Sequence, residues 1–347
     1  MVSNIRVGIV GFGYAAQTFH VPFLRSLATT EAVEIRAVSS SDAAKVHQLL
    51  PDVEVLSDHH ALCGHEDLDL VIITSPNDSH ALLASCALAA GKHVLLEKPL
   101  TTNYADAVAL QQLAAAQERL LVPFQNRRWD GDFLTVKKLV ADGSLGKVHY
   151  VESHFDRFRP QPRDRWRENG GEGSGIFWDL GPHLLDQALQ LFGQPSHLTA
   201  TLRALRPAAK AVDYFKLQLH YADKEVVLCA SPYMAAANPR FTLQGELATY
   251  LKSGLDPQED ALKSGMDPQA SSFGIEAEAL WGQLYFATEH QPVATLHGDY
   301  LGFYQQLLDA IRGQAPAPVP IADAVEVIRL LALSEESAAS GCRVSCD

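Results

Sequence analysis

The run Ile5 to Ala16, IRVGIVGFGYAA, constrains this chain more than any other stretch, because it joins an apolar β-branched segment to closely spaced small residues. Val, Ile and Gly leave Ile5 to Val10 almost no polar side to show water, so the segment reads as a strand buried on both faces, as in parallel sheets. The small residues that follow have separate tasks. Gly11 permits a tight turn out of the strand, Gly13 lets backbone approach a pyrophosphate, and Ala16 keeps the next helix close to the strand. That helix, expected over 17–27, would aim its free N–H groups at phosphate. Gly11, Phe12, Gly13, Tyr14 and Ala15 are therefore candidate contacts to a dinucleotide; a structural turn without a ligand is the competing reading.

Strand-like and helix-like segments alternate through residue 122, the pattern of a doubly wound parallel sheet. Strands are expected over 33–38, 68–74, 93–96 and 120–122, with helices ending near Ala90 and Gln117. Asn77 or Asp78 should cap the first of these helices. Ligands in such sheets bind beyond the carboxyl ends of the strands, which places the turns at Gly11, Ser39, Ser75 and Lys98 on one edge. After Pro123 the rhythm changes: strands over 148–155, 196–202, 214–220, 226–231 and 240–245 are expected to follow one another without intervening long helices. A Rossmann domain over 1–122 and a substrate-binding and dimerisation domain over 123–347 are expected. The second would hold four to six largely antiparallel strands with helices on one face and a bare face suited to a homodimer. A last helix over 322–337 should pack back on the first domain. The octapeptide LKSGLDPQ at 251–258 recurs as LKSGMDPQ at 262–269 and reads as two short surface turns.

A chain of 347 residues with 47% hydrophobic composition has material for two cores. Its net charge of −13 argues against nucleic acid or an anionic membrane surface as a partner. The sequence contains no apolar run of the ~18 residues that a membrane span needs, and its start lacks a signal-peptide pattern, so a cytoplasmic location is expected. The five cysteines are too scattered for a disulfide framework, and Cys342 and Cys346 read as part of a frayed tail.

Three motifs occur in order: Gly11-Phe12-Gly13-Tyr14-Ala15-Ala16, then Glu97-Lys98-Pro99, then Gly173 to His183, GSGIFWDLGPH. Together they resemble the Gfo/Idh/MocA oxidoreductases, the family of glucose-fructose oxidoreductase and inositol dehydrogenase, over nearly the whole chain. The resemblance implies an α/β protein with an N-terminal Rossmann sheet and a C-terminal α+β domain on an open, largely antiparallel sheet. It also implies NAD(P)-dependent oxidation or reduction at a hydroxyl of a sugar, cyclitol or related polyol, and a cis bond before Pro99. An NAD-dependent glycosidase of the same fold and a non-catalytic cofactor-binding sensor are the alternatives.

The residues themselves agree with this chemistry. Lys98 follows a buried strand at the ligand edge, where an ammonium could bond the reacting oxygen; a salt bridge to Glu97 is its structural alternative. Pro182 suits a first helical turn, which would put His183 near a helix N-terminus, where the dipole favours a neutral imidazole able to accept a proton. Asp179 would orient that imidazole or bond a neighbouring hydroxyl, unless it is merely a cap. Lys98, Asp179 and His183 are the candidate catalytic residues, and Ser75, Pro76, Asn77, His80, Glu97 and Lys98 join the glycine turn as candidate cofactor contacts. An NAD enzyme usually carries Asp or Glu after its second strand, but this chain has Ser39-Ser40-Ser41 with Lys45 nearby. Ser39 and Ser40 are thus expected to favour NADP over NAD. Arg127 and Arg163 are candidate substrate contacts, with Asp179 and His183, although the arginine-rich stretch 157–167 also contains acids enough to neutralise itself. His59, His60, Cys63 and His65 lie close together but lack the paired spacing of a metal site, and no metal is expected.

Overall fold

The structure is a computed structural model that describes residues 4–347, and its chain divides into two compact units. The first comprises residues up to Asn126 together with Gln258–Phe273 and Asp299–Val325. The opening run forms β1 (Ile5–Val10), joined by β2 (Val33–Ser39), β3 (Glu54–Leu56), β4 (Leu70–Ile73), β5 (His93–Leu96) and β6 (Leu121–Pro123). These six strands pair in parallel in the order β3-β2-β1-β4-β5-β6, the Rossmann order, in which the chain reverses its direction of winding between β1 and β4. β4 is buried throughout, as a strand covered on both faces must be.

Helices α1 (Val21–Leu27), α2 (Ala43–Leu49), α3 (His59–Cys63), α4 (His80–Ala89) and α5 (Tyr104–Ala116) make the crossovers. Side chains of Asp42, Asp58 and Asn103 cap α2, α3 and α5 by accepting backbone N–H groups. α4 differs from expectation. A 3-10 turn over Asn77–Ser79 leads into it and no side chain caps it. A π-helical turn over Ala16–His20 precedes α1 and buries His20 completely.

In the second unit a sheet of nine strands runs β14-β13-β12-β11-β7-β10-β9-β8-β15, more than the four to six expected. Its strands are β7 (Val148–His154), β8 (His197–Arg203), β9 (Tyr214–His220), β10 (Glu225–Ala230), β11 (Pro239–Gly245), β12 (Thr249–Ser253), β13 (Gly282–Tyr285), β14 (His290–Val293) and β15 (Val344–Ser345). Among the described residues of this sheet only β7 and β10 pair in parallel; the other pairings are antiparallel. Helices α6 (Gly131–Ala141) and α7 (Gly175–Phe192) belong to this unit, and α8 (Gln258–Lys263) and α9 (Tyr300–Ile311) to the first. Phe215, Leu217 and Leu219 of β9 are fully buried, while Tyr214, Lys216 and Gln218 alternate with them on the more open face.

From Glu326 onward the last helix, α10 (Ile321–Ser340), belongs to the second unit: Trp178 Nε1 donates to Glu335, Leu331 packs on Gly181, and Ser337 Oγ accepts Ala200 N–H. Two expectations are corrected here. The terminal cysteines are not frayed, since β15 pairs with β8, Cys346 is buried, and its carbonyl accepts Arg329 Nη2 at 2.6 Å. The repeated octapeptide takes two unlike structures: its first copy begins in the last residues of β12 and its second in the last residues of α8. Lys252 is fully buried against Glu276 Oε1 at 2.7 Å, and that carboxylate also accepts Thr295 Oγ1 at 2.6 Å. Its counterpart Lys263 is exposed and reaches Glu259 and Asp260 on its own helix.

The two lysines should therefore respond oppositely to the same change. Lys252→Ala strands a buried carboxylate and should cost about 3–5 kcal/mol, whereas Lys263→Ala should cost at most about 0.5 kcal/mol. Urea unfolding of the two variants beside the parent chain measures both.

Candidate active site

Register brings the ligand edge of the first unit together. Val10 pairs with Ser39 and Ile73, Ile73 with Leu96, and Leu96 with Pro123. The segments that follow these residues leave the sheet side by side. Gly11 turns at φ +83°, and its N–H donates to Ser39 O at 3.0 Å. A side chain at Gly11 would be strained in backbone and would approach Thr74 Oγ1 to 3.2 Å. At Gly13 an added Cβ would meet no protein atom within 4 Å. Its missing side chain therefore opens backbone to something outside the protein, which fits a pyrophosphate. Ala16 is buried where the helix begins.

The other candidates in this turn divide by exposure. Tyr14 is exposed, and its hydroxyl donates to Glu259 Oε1 at 2.8 Å. Ala15 is half-buried, while the Phe12 side chain points into the core and only its backbone faces the turn. At the end of β2, Ser39 is fully buried with its hydroxyl 2.8 Å from His59 Nδ1. That hydroxyl faces His59, and Ser40 is the more exposed of the two serines at this turn. Ser40 is half-buried, with its Oγ accepting Asp42 N–H, and Lys45 is exposed at the start of α2. Of the histidines and cysteine near β3, His65 faces Glu54 at 3.3 Å, and burial pushes the Cys63 thiol up to about 12.

Glu97, Lys98 and Pro99 follow β5, and the bond between Lys98 and Pro99 is cis. Two inward side chains hold this turn. Glu97 Oε2 accepts the Lys98 N–H at 3.1 Å, and its Oε1 lies 3.2 Å from His20 Nε2. His20 Nδ1 is 2.9 Å from the Tyr304 hydroxyl, which also donates to Phe19 O. On the other side His80 Nδ1 is 2.8 Å from Pro99 O and its Nε2 is 3.1 Å from Ser75 O. Burial lowers the His80 pKa, against the opposing pull of its hydrogen bonds to Pro99 O and Ser75 O. Burial alone would raise the Glu97 pKa, but hydrogen bonding to His20 and the charges of His20 and Lys98 hold it below its ordinary value of 4.5. Glu97, His80 and Asn77 are buried, whereas Ser75 and Lys98 are half-buried and Pro76 is exposed. His20 and Tyr304 escaped the sequence reading: 284 residues separate them, and no local pattern joins them.

In the second unit, α7 begins at Gly175, seven residues before Pro182, which reads in sequence as the opening of a helix. Gly175 sits at φ +89° with Val212 O 2.5 Å from where a Cβ would stand, and Ile176 N–H donates to Val212 O at 2.7 Å. Pro182 is consequently inside the helix and His183 lies mid-helix, buried. The dipole argument for its protonation state falls, because that field fades beyond the first turn. Asp179 is one turn earlier and half-buried, with Arg167 Nε 3.7 Å from its Oδ1. The arrangement of Asp179 and His183 at i and i+4 still puts both on one helix face.

A cavity of about 610 Å³, open mouth included, is lined by Arg157, Arg159, Arg165, Arg167, Asp179 and Arg206, among others. Part of the charge is neutralised as expected, since Glu168 takes Arg165 at 2.7 Å and Arg206 at 2.9 Å. The two arginines chosen from sequence are elsewhere. Arg163 is exposed and gives its backbone N–H to Glu168, while Arg127 pairs with Asp130 at 3.3 Å and lies over Phe155. Asp186 on α7 takes Arg128 in a two-pronged bond at 2.8 and 2.6 Å, and Gln187 ties the Arg127 carbonyl to the buried Arg240.

Comparison with known proteins adds to this geometry. Residues 5–124 match the domain described as "Oxidoreductase family, NAD-binding Rossmann fold", and residues 137–345 match "Oxidoreductase family, C-terminal alpha/beta domain". The chain is 45% identical over 342 residues to the uncharacterized oxidoreductase YdgJ of Escherichia coli, covering 97% of each. It is 35% identical to the scyllo-inositol 2-dehydrogenase (NADP(+)) IolW of Bacillus subtilis, covering 97% of this chain and 94% of that one. The solved structure of the Yersinia pestis protein YPO2259 superposes with a TM-score of 0.93 at 45% identity, covering 99% of this chain and 98% of the other.

The buried Glu97 carboxylate sets an acid limb on stability. Its folded pKa lies below 4.5, so its contribution is full above the ordinary value and is lost as pH falls through the lowered one. Glu97→Gln should therefore lose less stability than the parent on acidification from neutral pH to below 4.5, read from urea midpoints at each pH.

Proposed function

Because this chain belongs to the Gfo/Idh/MocA oxidoreductase family, whose members are dehydrogenases acting on CH–OH groups, we propose that its substrate is a cyclitol or sugar-like polyol and that NADP is its preferred cofactor. The observation that carries this reading is the full-length likeness to an enzyme named for scyllo-inositol and NADP(+). A bound nicotinamide accepts hydride in oxidation and gives it in reduction. Everything else is assigned to this chain's own groups.

The Lys98 ammonium holds the reacting oxygen, from a turn whose backbone is braced by Glu97 and His80. His183 takes the hydroxyl proton during oxidation and returns it in reduction, and Asp179 bonds a neighbouring hydroxyl or orients the imidazole. Gly11 and Gly13 let backbone N–H groups meet the pyrophosphate. Ser40 and Lys45, rather than the buried Ser39, are the groups assigned to the 2′-phosphate. A second copy of the chain, meeting this one through the more open face of the nine-stranded sheet, is the proposed partner.

Two outcomes test the assignment. On whichever cyclitol, sugar or dicarbonyl turns over in a screen that follows NADPH and NADH absorbance, His183→Asn should lose about 10²–10⁴ in kcat with unchanged cofactor affinity. Lys98→Ala should lose as much while melting near the parent. If His183→Asn keeps parental turnover, the proton acceptor is another group. For the cofactor, Lys45→Ala should weaken NADPH binding about tenfold, equivalent to about 1.4 kcal/mol, and leave NADH binding unchanged. Fluorescence titration with both dinucleotides reads this, and equal losses for the two would remove Lys45 from the 2′-phosphate site.

A further inference from the structure

The cavity at the start of α7 carries more positive charge than its own acids can balance. Glu168 and Asp179 are the acidic side chains that line it, against Arg157, Arg159, Arg165, Arg167, Arg206 and Lys210. Glu168 is engaged by Arg165 and Arg206 and also accepts the Arg163 N–H at 3.0 Å. Arg206 has a second carboxylate in Asp213 at 2.9 Å, and Asp179 has Arg167 at 3.7 Å. Arg157 and Arg159 are left over: among the described residues neither guanidinium makes an ion pair or a hydrogen bond. In a chain of net charge −13, two unbalanced cations in one concavity are a local reversal of sign.

Backbone pairing sets both arginines in place. Arg157 N–H donates to Ser231 O at 2.9 Å and Arg159 N–H to Pro232 O at 2.8 Å, tying the segment after β7 to the segment after β10. Phe158, between them, forms an antiparallel bridge with Tyr233. The segment is therefore extended, so side chains 157 and 159 leave on one side, into the cavity wall, and the exposed Phe158 on the other. α7 adds to the same field. Its first residues, Gly175 and Ile176, also line the cavity, and its first turn holds no acidic residue, so the positive end of an 18-residue helix borders the two arginines. Burial and the charges of Arg157, Arg163 and Arg165 lower the Arg159 pKa, as expected of like charges crowded together.

We propose that this cavity binds a phosphate monoester, so that the polyol substrate is a phosphorylated one. Arg157 and Arg159 take the phosphate oxygens, and Asp179, in the same cavity, bonds a hydroxyl of the same molecule. This rests on the assignment of Asp179 to a substrate hydroxyl under the proposed function. Two guanidiniums without counter-ions match the charge of about −1.5 to −2 that a phosphate monoester carries at neutral pH, and their planar forks match its oxygens. A carboxylate would leave one of the two cations unbalanced. The volume of about 610 Å³ is within the range of small-molecule sites, about 300–1,000 Å³.

Calorimetric titration of the full-length protein at constant ionic strength tests this, with glucose 6-phosphate and myo-inositol 1-phosphate against their unphosphorylated parents. Each ester should bind at least about tenfold more tightly than its parent. Arg157→Gln and Arg159→Gln should each lose that preference, whereas Lys138→Gln, at an exposed lysine paired with Asp142 on its own helix, should keep it. Melting temperature separates binding from a structural role. Arg159→Gln removes one of several crowded cations and should melt no lower than the parent, while inorganic phosphate should raise the melting temperature of the parent and not of the double variant Arg157→Gln/Arg159→Gln. Equal binding of esters and parents, a preference that survives both substitutions, glucuronate binding as tightly as glucose 6-phosphate, or a clear drop in melting temperature for Arg159→Gln would each overturn the site. If unphosphorylated polyols turn over with NADPH while the esters show no preference, the dehydrogenase reading stands and the phosphate site falls. If the esters bind through the arginines and no polyol or polyol phosphate turns over, the phosphate site stands and the dehydrogenase reading falls.

Discussion

Parallel pairing of β1 with β2 on one side and β4 on the other is the constraint on which the first unit rests. Parallel strands cannot be joined by tight hairpins, so every connection must cross back over the sheet and every strand must deliver its carboxyl end to the same edge. The glycine turn, Ser40, Ser75 and Lys98 share that edge for this reason alone. Chemistry at the edge then depends on what pins the turns. Here the pins are a buried carboxylate and a buried imidazole, Glu97 and His80, which fix backbone and point away from solvent.

The parts legible in sequence are those whose cause is local. β1 and its turn were readable because only β-branched residues suit a strand covered on both faces and only glycine tolerates the φ of Gly11. The strands of the second unit were readable where apolar residues alternate, as in β9, and missed where they do not, as in β14, which has no buried side chain. The place of His183 within its helix is not legible in sequence. Pro182 looks like a start signal, whereas the actual start is set by Gly175 and by the bond from Ile176 N–H to Val212 O, 36 residues away from Ile176.

Ser39 shows a second limit. A hydroxyl after a strand can face a ligand or the interior, and the choice is made by His59, which sequence placed in a different cluster altogether. The duplicated octapeptide makes the same point with identity held constant. Lys252 and Lys263 share the context LKSG, yet one closes a buried ion pair and the other lies in solvent. Pairings such as His20 with Tyr304 or Lys252 with Glu276 are decided by tertiary structure, and no window of neighbouring residues contains both partners.

The first unit draws its material from three stretches of chain. Phe23 stacks on Tyr304 with ring centroids 4.9 Å apart, and Phe124 meets Phe303 at 5.2 Å, so aromatic faces made early in translation are covered by residues made late. At about 5–20 residues per second, a ribosome that has passed Asn126 needs roughly 10–35 s to supply Tyr304. During that interval the nascent sheet carries uncovered aromatic rings and a His20 side chain without its phenol. The second unit's central strands are synthesised inside the same window, so the order of manufacture completes the cofactor-binding unit only after those strands of the other unit have been made.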